Sequence, residues 1–218
     1  MKKILFLVLI LITIFCSGCV EKKIATQNAF YSTQAPSLTI KFPQYVNFIG
    51  EESEYVHKIN CKRYYYAGED NHNTGKRLAF FELQTIPPRY YWEPKYLPIG
   101  SGPYANVYNK NIDGETYYCR TFITNSNIEK YGNIFEEHGI KIPETMDVMV
   151  CTKKISDTKK AFFAYMRQAD LAKIDNAFIY DHFDPNALTS KQIHYFQDVD
   201  KELSAELIAR KFKESDLQ

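Results

Sequence analysis

The sequence predicts an α+β fold in which a mainly antiparallel β-sheet packs against a long C-terminal helix. Three observations carry that expectation. Aromatic residues are abundant, with 17 Tyr and 15 Phe against 9 Gly and 9 Pro, and aromatic side chains fit the pleated, half-buried surface of a sheet. Alternating segments follow one another between turn formers, and the one long amphipathic stripe comes last. Many strands followed by a helix set apart is the α+β order.

Taken along the chain, Ser37 to Phe42 alternates cleanly after Pro36 and reads as a first strand. Glu54 to Tyr66 and Lys76 to Ile86 are β-type runs separated by the turn-rich 68–75, which suggests a hairpin with a long loop. Asn106 to Ile112 and Glu115 to Ile123 flank Asp113-Gly114, a dipeptide suited to the positive φ values of a type I′ turn. Met146 to Thr152 and Lys160 to Ala169 form a third pair around Ser156-Asp157-Thr158. Apolar residues fall on both faces of Met146 to Cys151, as in a covered central strand. Asn127 to His138 carries apolar residues at helical spacing and ends at Gly139, a plausible C-cap. The stronger helix begins at Thr189-Ser190-Lys191-Gln192, a capping box. Its stripe is Ile193, Phe196, Val199, Leu203 and Leu207.

The first residues carry a different message. Lys2 and Lys3 precede twelve uncharged residues, Ile4 to Phe15, and then Cys16-Ser17-Gly18-Cys19. A positive start, a short apolar run and small residues make an export signal. The run falls short of the roughly 20 residues that cross a bilayer. Ser17, Gly18 and Cys19 resemble the end of the bacterial lipoprotein signal, although Cys16 stands where that family usually has leucine. The resemblance covers residues 1–19 alone. It implies lipid attachment to the Cys19 sulfur, cleavage after Gly18, and a mature chain anchored to the cell envelope and facing the periplasm. Val20, in place of an aspartate, points to the outer rather than the inner membrane. Release as a secreted product and retention as an uncleaved segment are the alternatives. The expected organisation is therefore a signal peptide (1–18), a flexible tether (19–35) reaching on the order of 20 Å, and one α+β domain (36–218).

Cleavage would remove two of the 27 basic residues, leaving 25 against 26 acidic ones. A near-neutral total argues against nucleic acid as a partner and against a strong anionic-membrane footprint. Lys153-Lys154 and Lys159-Lys160 read as solvated strand ends. Cys61, Cys119 and Cys151 permit one disulfide and a free thiol, with the pairing open. Neither these cysteines nor the five histidines show metal-ligand spacing, and no cofactor motif occurs. Asp181, His182 and Asp184 form a loose cluster better explained as turn and capping residues. Glu51-Glu52 and Glu136-Glu137 read as solvated faces.

The most unusual surface candidate is the Pro87–Pro98 segment, whose four prolines exclude it from a central strand. Arg89, Tyr90, Tyr91, Trp92 and Tyr96 on such a loop suit a stacking platform for a glycan or a peptide groove. The competing expectation is that these rings cover an open end of the sheet. With no reactive constellation in view, the functional expectation is a non-enzymatic envelope lipoprotein that binds an envelope protein or glycan. A periplasmic hydrolase with an unrecognised site, or an assembly subunit, are the alternatives.

Overall fold

The computed structural model describes residues 23–33, 36–69, 76–92, 106–125, 134–170, 172 and 189–217. It is mainly antiparallel sheet with one long helix near the C-terminus, a small α+β arrangement as expected. The strands, however, form two sheets. A four-stranded sheet contains β1 (Lys23–Thr26), β2 (Ala29–Ser32), β3 (Leu38–Lys41) and, on its far edge, β11 (Ile208–Arg210). A seven-stranded sheet has the order β4-β5-β6-β10-β9-β8-β7. Its strands are β4 (Asn47–Val56), β5 (Ile59–Glu69), β6 (Lys76–Thr85), β7 (Asn106–Ile112), β8 (Glu115–Asn125), β9 (Thr145–Lys154) and β10 (Lys159–Gln168).

Residues 23–32 correct the expected tether. They form β1 and β2, and all four residues of β2 are buried. The polar neighbours Thr26, Gln27 and Asn28 mask what Phe30 does. Its ring stacks on Phe81 with centroids 4.0 Å apart and meets Tyr64 at 5.0 Å. The flexible tether expected over 19–35 is therefore overturned across residues 23–32, which belong to the fold.

A second correction concerns the run from Glu54 to Tyr66, which is not one strand. It turns at His57-Lys58, whose φ values are 49° and 67°, and β4 and β5 pair from Val56↔Ile59 to Asn47↔Ala67. Both turn residues adopt the left-handed region without Gly, Asn or Asp to announce it. By contrast, Asp113-Gly114 turns as expected, with φ of 48° and 85°.

The large sheet is covered on both faces. On the near face, Tyr64, Tyr66, Phe81, Tyr117, Phe163 and Tyr165 pack against Phe30, Leu38, Ile40 and Phe42 of the small sheet and Val199 and Leu203 of the helix. On the far face, Tyr65, Phe80, Met146, Val148, Phe162 and Met166 pack with Phe135. Phe135 belongs to a helical turn at 134–137, and Gly139 follows it at φ +70° in the expected capping position. The rest of that expected helix lies outside the described residues. Gly68 is required by close approach: a Cβ there would stand 1.9 Å from the Tyr45 carbonyl oxygen.

Helix α1 (Ser190–Glu206) starts with the capping box foreseen. The Thr189 side chain accepts from the Gln192 N–H, and the Gln192 side chain accepts from the Thr189 N–H at 2.7 Å. Thr189→Ala should cost about 1 kcal/mol, read as a lower urea midpoint with an unchanged slope. The buried stripe is narrower than the sequence suggests. Phe196, Val199 and Leu203 are buried, Leu207 caps the helix half-buried, and Ile193 is exposed.

Polar contacts replace the missing apolar ones. The Tyr195 hydroxyl donates to Asp147 at 2.7 Å, and Arg167 bridges Asp147 and Glu202. Arg77 donates twice to Glu206, at 2.8 Å each, and the Tyr165 hydroxyl donates to the same carboxylate. Burial pushes the Asp147 carboxyl above its ordinary range, with Tyr195 and Arg167 pulling it back. Burial also opposes the Glu206 charge, but Arg77 and Tyr165 outweigh it and hold that carboxyl low. Each buried charge on this seam has a structural partner.

The open cysteine question is resolved: Cys119 and Cys151 form a disulfide across the β8–β9 pair, and Cys61 is buried outside any disulfide.

Candidate binding surface

Strand direction collects one set of turns at a single end of the large sheet. β4 and β5 meet there at His57-Lys58, β6 leaves through Ile86, β9 and β10 turn at 155–158, and β7 and β8 turn at Asp113-Gly114. The candidate loop belongs to this rim. The Ile86 N–H donates to the Thr158 carbonyl at 2.9 Å, and the Trp92 N–H donates to the Asp157 carbonyl at 2.8 Å. The Tyr90 N–H closes a turn onto the Pro87 carbonyl. Backbone bonds to a neighbouring hairpin thus hold this proline-rich stretch on the sheet end.

The described aromatics of the loop do not act alike. Tyr91 is 67% exposed and Tyr90 39%, and Tyr55 at the end of β4 joins them at 70%. Lys58 donates to the Tyr90 hydroxyl at 3.2 Å, and Arg89 stands over the same ring, 5.4 Å from its centroid. Trp92 instead turns inward, and the Lys160 ammonium sits over its ring at 3.8 Å. Its indole N–H is buried with no hydrogen-bond partner. Within the described part of the loop, Tyr90 and Tyr91 are displayed while Trp92 turns in over the sheet end. Tyr96 lies outside the described residues.

Behind Trp92 the far face carries a buried ionic cluster that the sequence did not announce. Alternation places Cys61, Arg63, Glu82, Gln84 and Lys160 on one face, with Arg63 opposite Glu82 and Gln84 between Cys61 and Lys160. Arg63 donates to Glu82 at 2.7 Å and to Glu54 at 2.8 Å, and it reaches Glu52 at 3.2 Å. Gln84 donates to the second Glu82 oxygen at 2.5 Å. Burial works against the Arg63 charge, yet Glu82 and Glu54 outweigh it and hold the guanidinium firmly protonated. The cluster is a support for the rim, holding β4, β5 and β6 together by side chains as well as by the ladder.

Lys160 corrects the expectation of a solvated strand end, being only 5% exposed. Burial pushes its ammonium down to about 8 from the ordinary 10.5, with Glu82 pulling the other way. Between those values the unfolded chain binds the proton that the folded chain releases, so stability rises with pH. Lys160→Met should abolish this gain. The check is the difference between wild-type and variant urea midpoints from about pH 7 to about pH 9.5, below the range where unfolded tyrosines ionise.

The remaining sequence candidates are dispersed. Glu51 pairs with Lys62, Glu52 serves Arg63 and Tyr65, and Glu136 and Glu137 are exposed. His57 is at the rim, His138 follows the 134–137 turn and His194 is on α1, so they do not converge. Asp181, His182 and Asp184 lie outside the described residues, as do Cys19 and the signal segment. Among the described residues no group of three or more His, Cys, Asp or Glu could hold a metal ion, and no helix is long and apolar enough to cross a membrane.

Comparison with protein-family models, with curated proteins and with solved structures finds no match to this chain.

Proposed function

We propose that the chain is an exported, lipid-anchored, non-enzymatic module that contacts another component of the bacterial envelope through the rim of Tyr55, Tyr90, Tyr91, Lys58 and Arg89. The observation that carries this reading is the display of Tyr90 and Tyr91 on a turn tied by backbone hydrogen bonds to the sheet end, with Tyr55 exposed at the end of β4. Tyrosine presents a large amphipathic surface at small conformational cost and is enriched where one side of a contact is apolar and the other wet. Two further features support it. The Cys119–Cys151 disulfide suits an oxidising compartment, and the Ser17-Gly18-Cys19 sequence supplies an attachment point. In this reading Cys19 is acylated and the domain faces the periplasm, with the outer membrane favoured over the inner.

Mass spectrometry of the mature N-terminus tests the anchor: a lipid-modified Cys19 is expected, and an unmodified cysteine or another start overturns it. Crosslinking from a photoreactive residue at position 91 in intact cells tests the surface. It should capture an envelope component, and the capture should weaken in an Arg89→Glu background. A pure preparation that turns over a substrate while position 91 captures nothing would overturn the binding-module reading.

A further inference from the structure

Resting on the anchored reading, we infer that the component met by the rim is the membrane itself: anionic phospholipid headgroups of the leaflet holding the Cys19 lipid. Two independent observations converge on this: the direction in which the chain enters the fold, and the local charge of the rim.

The entry path follows from the packing. β3 runs away from the rim, since Phe42 just beyond its end packs 4.5 Å from Tyr66 and 6.0 Å from Tyr165. β2 is antiparallel to β3 and heads back, from Ala29 at the Tyr66 hydroxyl to Phe30 over Tyr64 and Phe81. β1 reverses once more and ends beside the start of β4, where the Phe48 N–H donates to the Gln27 carbonyl. Read backwards from Gln27, β1 therefore leads toward the rim along the β4 side, which is the side of Tyr55. Lys23 lies four residues back, about 13 Å at 3.3 Å per residue. From Phe48 to Val56 the large sheet runs eight residues, about 26 Å, and packed sheets align within about 30°. Cys19 precedes Lys23 by four residues, which span at most about 14 Å. The acylated sulfur thus reaches the level of the rim and little further, so the turns of the sheet are the part of the fold that a short leash draws to the lipid.

The charge of the rim complements such a surface. Lys153 pairs with Glu115, and Lys154 with Asp157. Lys58, Arg89 and Lys159 have no carboxylate partner among the described residues. Against these three cations the described rim sets Asp113, which accepts the Lys211 N–H, so a near-neutral total hides a local excess that folding creates by bringing residues 58, 89 and 159 to one end. Basic side chains flanking exposed tyrosines form the chemistry of a membrane–water interface: cations at the phosphates, rings at the headgroup level.

Trp92, the single tryptophan of the chain, reports from the rim. The full precursor would be expressed in a bacterium, purified from membranes in detergent and reconstituted into vesicles of phosphatidylethanolamine and phosphatidylglycerol, with and without a dansyl label on the phosphatidylethanolamine headgroup. Flotation of the protein with the vesicles reads the anchor, and quenching of Trp92 emission by energy transfer to the headgroup label reads the docking. Both are expected. Each basic residue near an anionic surface contributes about fivefold. Joint replacement Lys58→Gln and Arg89→Gln should therefore lower the docking equilibrium by about 25-fold, as lost quenching, and leave flotation unchanged. Flotation with unquenched Trp92 overturns the docking and leaves the anchor standing. Failure to float, with Cys19 unmodified, overturns both. Quenching that persists in the double variant and in phosphatidylcholine vesicles also overturns the assignment, and a protein or glycan captured from position 91 in cells, with no lipid adduct, would place another component at the rim.

Discussion

Glu82→Ala is expected to destabilise the fold by about 3–5 kcal/mol, the usual cost of leaving a buried charge without its partner. Glu82 is fully buried and receives Arg63 and Gln84 on its two oxygens. Its loss takes from the Arg63 guanidinium, itself fully buried, a fully buried carboxylate, while Glu52 and Glu54 remain as partly exposed partners. It also withdraws the carboxylate that opposes the desolvation of Lys160. Urea unfolding followed by Trp92 emission measures the loss, because that ring lies on Lys160 at the edge of the cluster. The double variant Arg63→Met with Glu82→Leu should be closer to wild type than Glu82→Ala alone, since removing both charges removes the desolvation along with the attraction. Additive losses across Arg63→Met, Glu82→Leu and the double variant would show that Arg63 and Glu82 act independently.

Removal of the disulfide is the second large effect. Cys119 and Cys151 are 32 residues apart, and a loop of that length restricts the unfolded chain by about 3–4 kcal/mol. Cys119→Ser with Cys151→Ser should lose about that much, lowering the thermal midpoint, and a reductant should reproduce the loss in the wild type. Cys61 gives the control. It is buried and takes no part in the disulfide, so the Cys61→Ala variant should stay as sensitive to reductant as the wild type. Insensitivity of the wild-type midpoint to reductant would exclude the bridge.

The sequence reveals those parts of the fold whose signals are local. Asp113-Gly114 carries its turn in its own backbone preferences, and the Thr189 capping box needs no other element to form. His57-Lys58 makes an equivalent turn with neither glycine nor asparagine, because the flanking strands impose it. β1 and β2 are hidden for another reason: Phe30 is one apolar ring in a polar stretch, and only the presence of Phe81 and Tyr64 makes it core. β11 is three residues long and exists because the edge of β3 is there to receive it. The surface shows the same division. Proline and aromatic content mark residues 87–98 as unusual, but which ring turns inward depends on Lys160, three strands further along the chain. Charge totals cancel along the sequence, whereas the rim is an accident of topology that no total records.

The small sheet also sets an order of events. Its centre, β3, lies near the start of the chain, and one of its neighbours, β11, comes from the last ten or so residues, with Thr39 further bonded to Asp216. Until β11 arrives, that sheet is unfinished and one edge of β3 stands open. Closure thus joins residues about 170 positions apart, and such distant pairing slows folding. A chain truncated before Ile208 would leave that β-edge unsealed, a ready template for pairing with another chain.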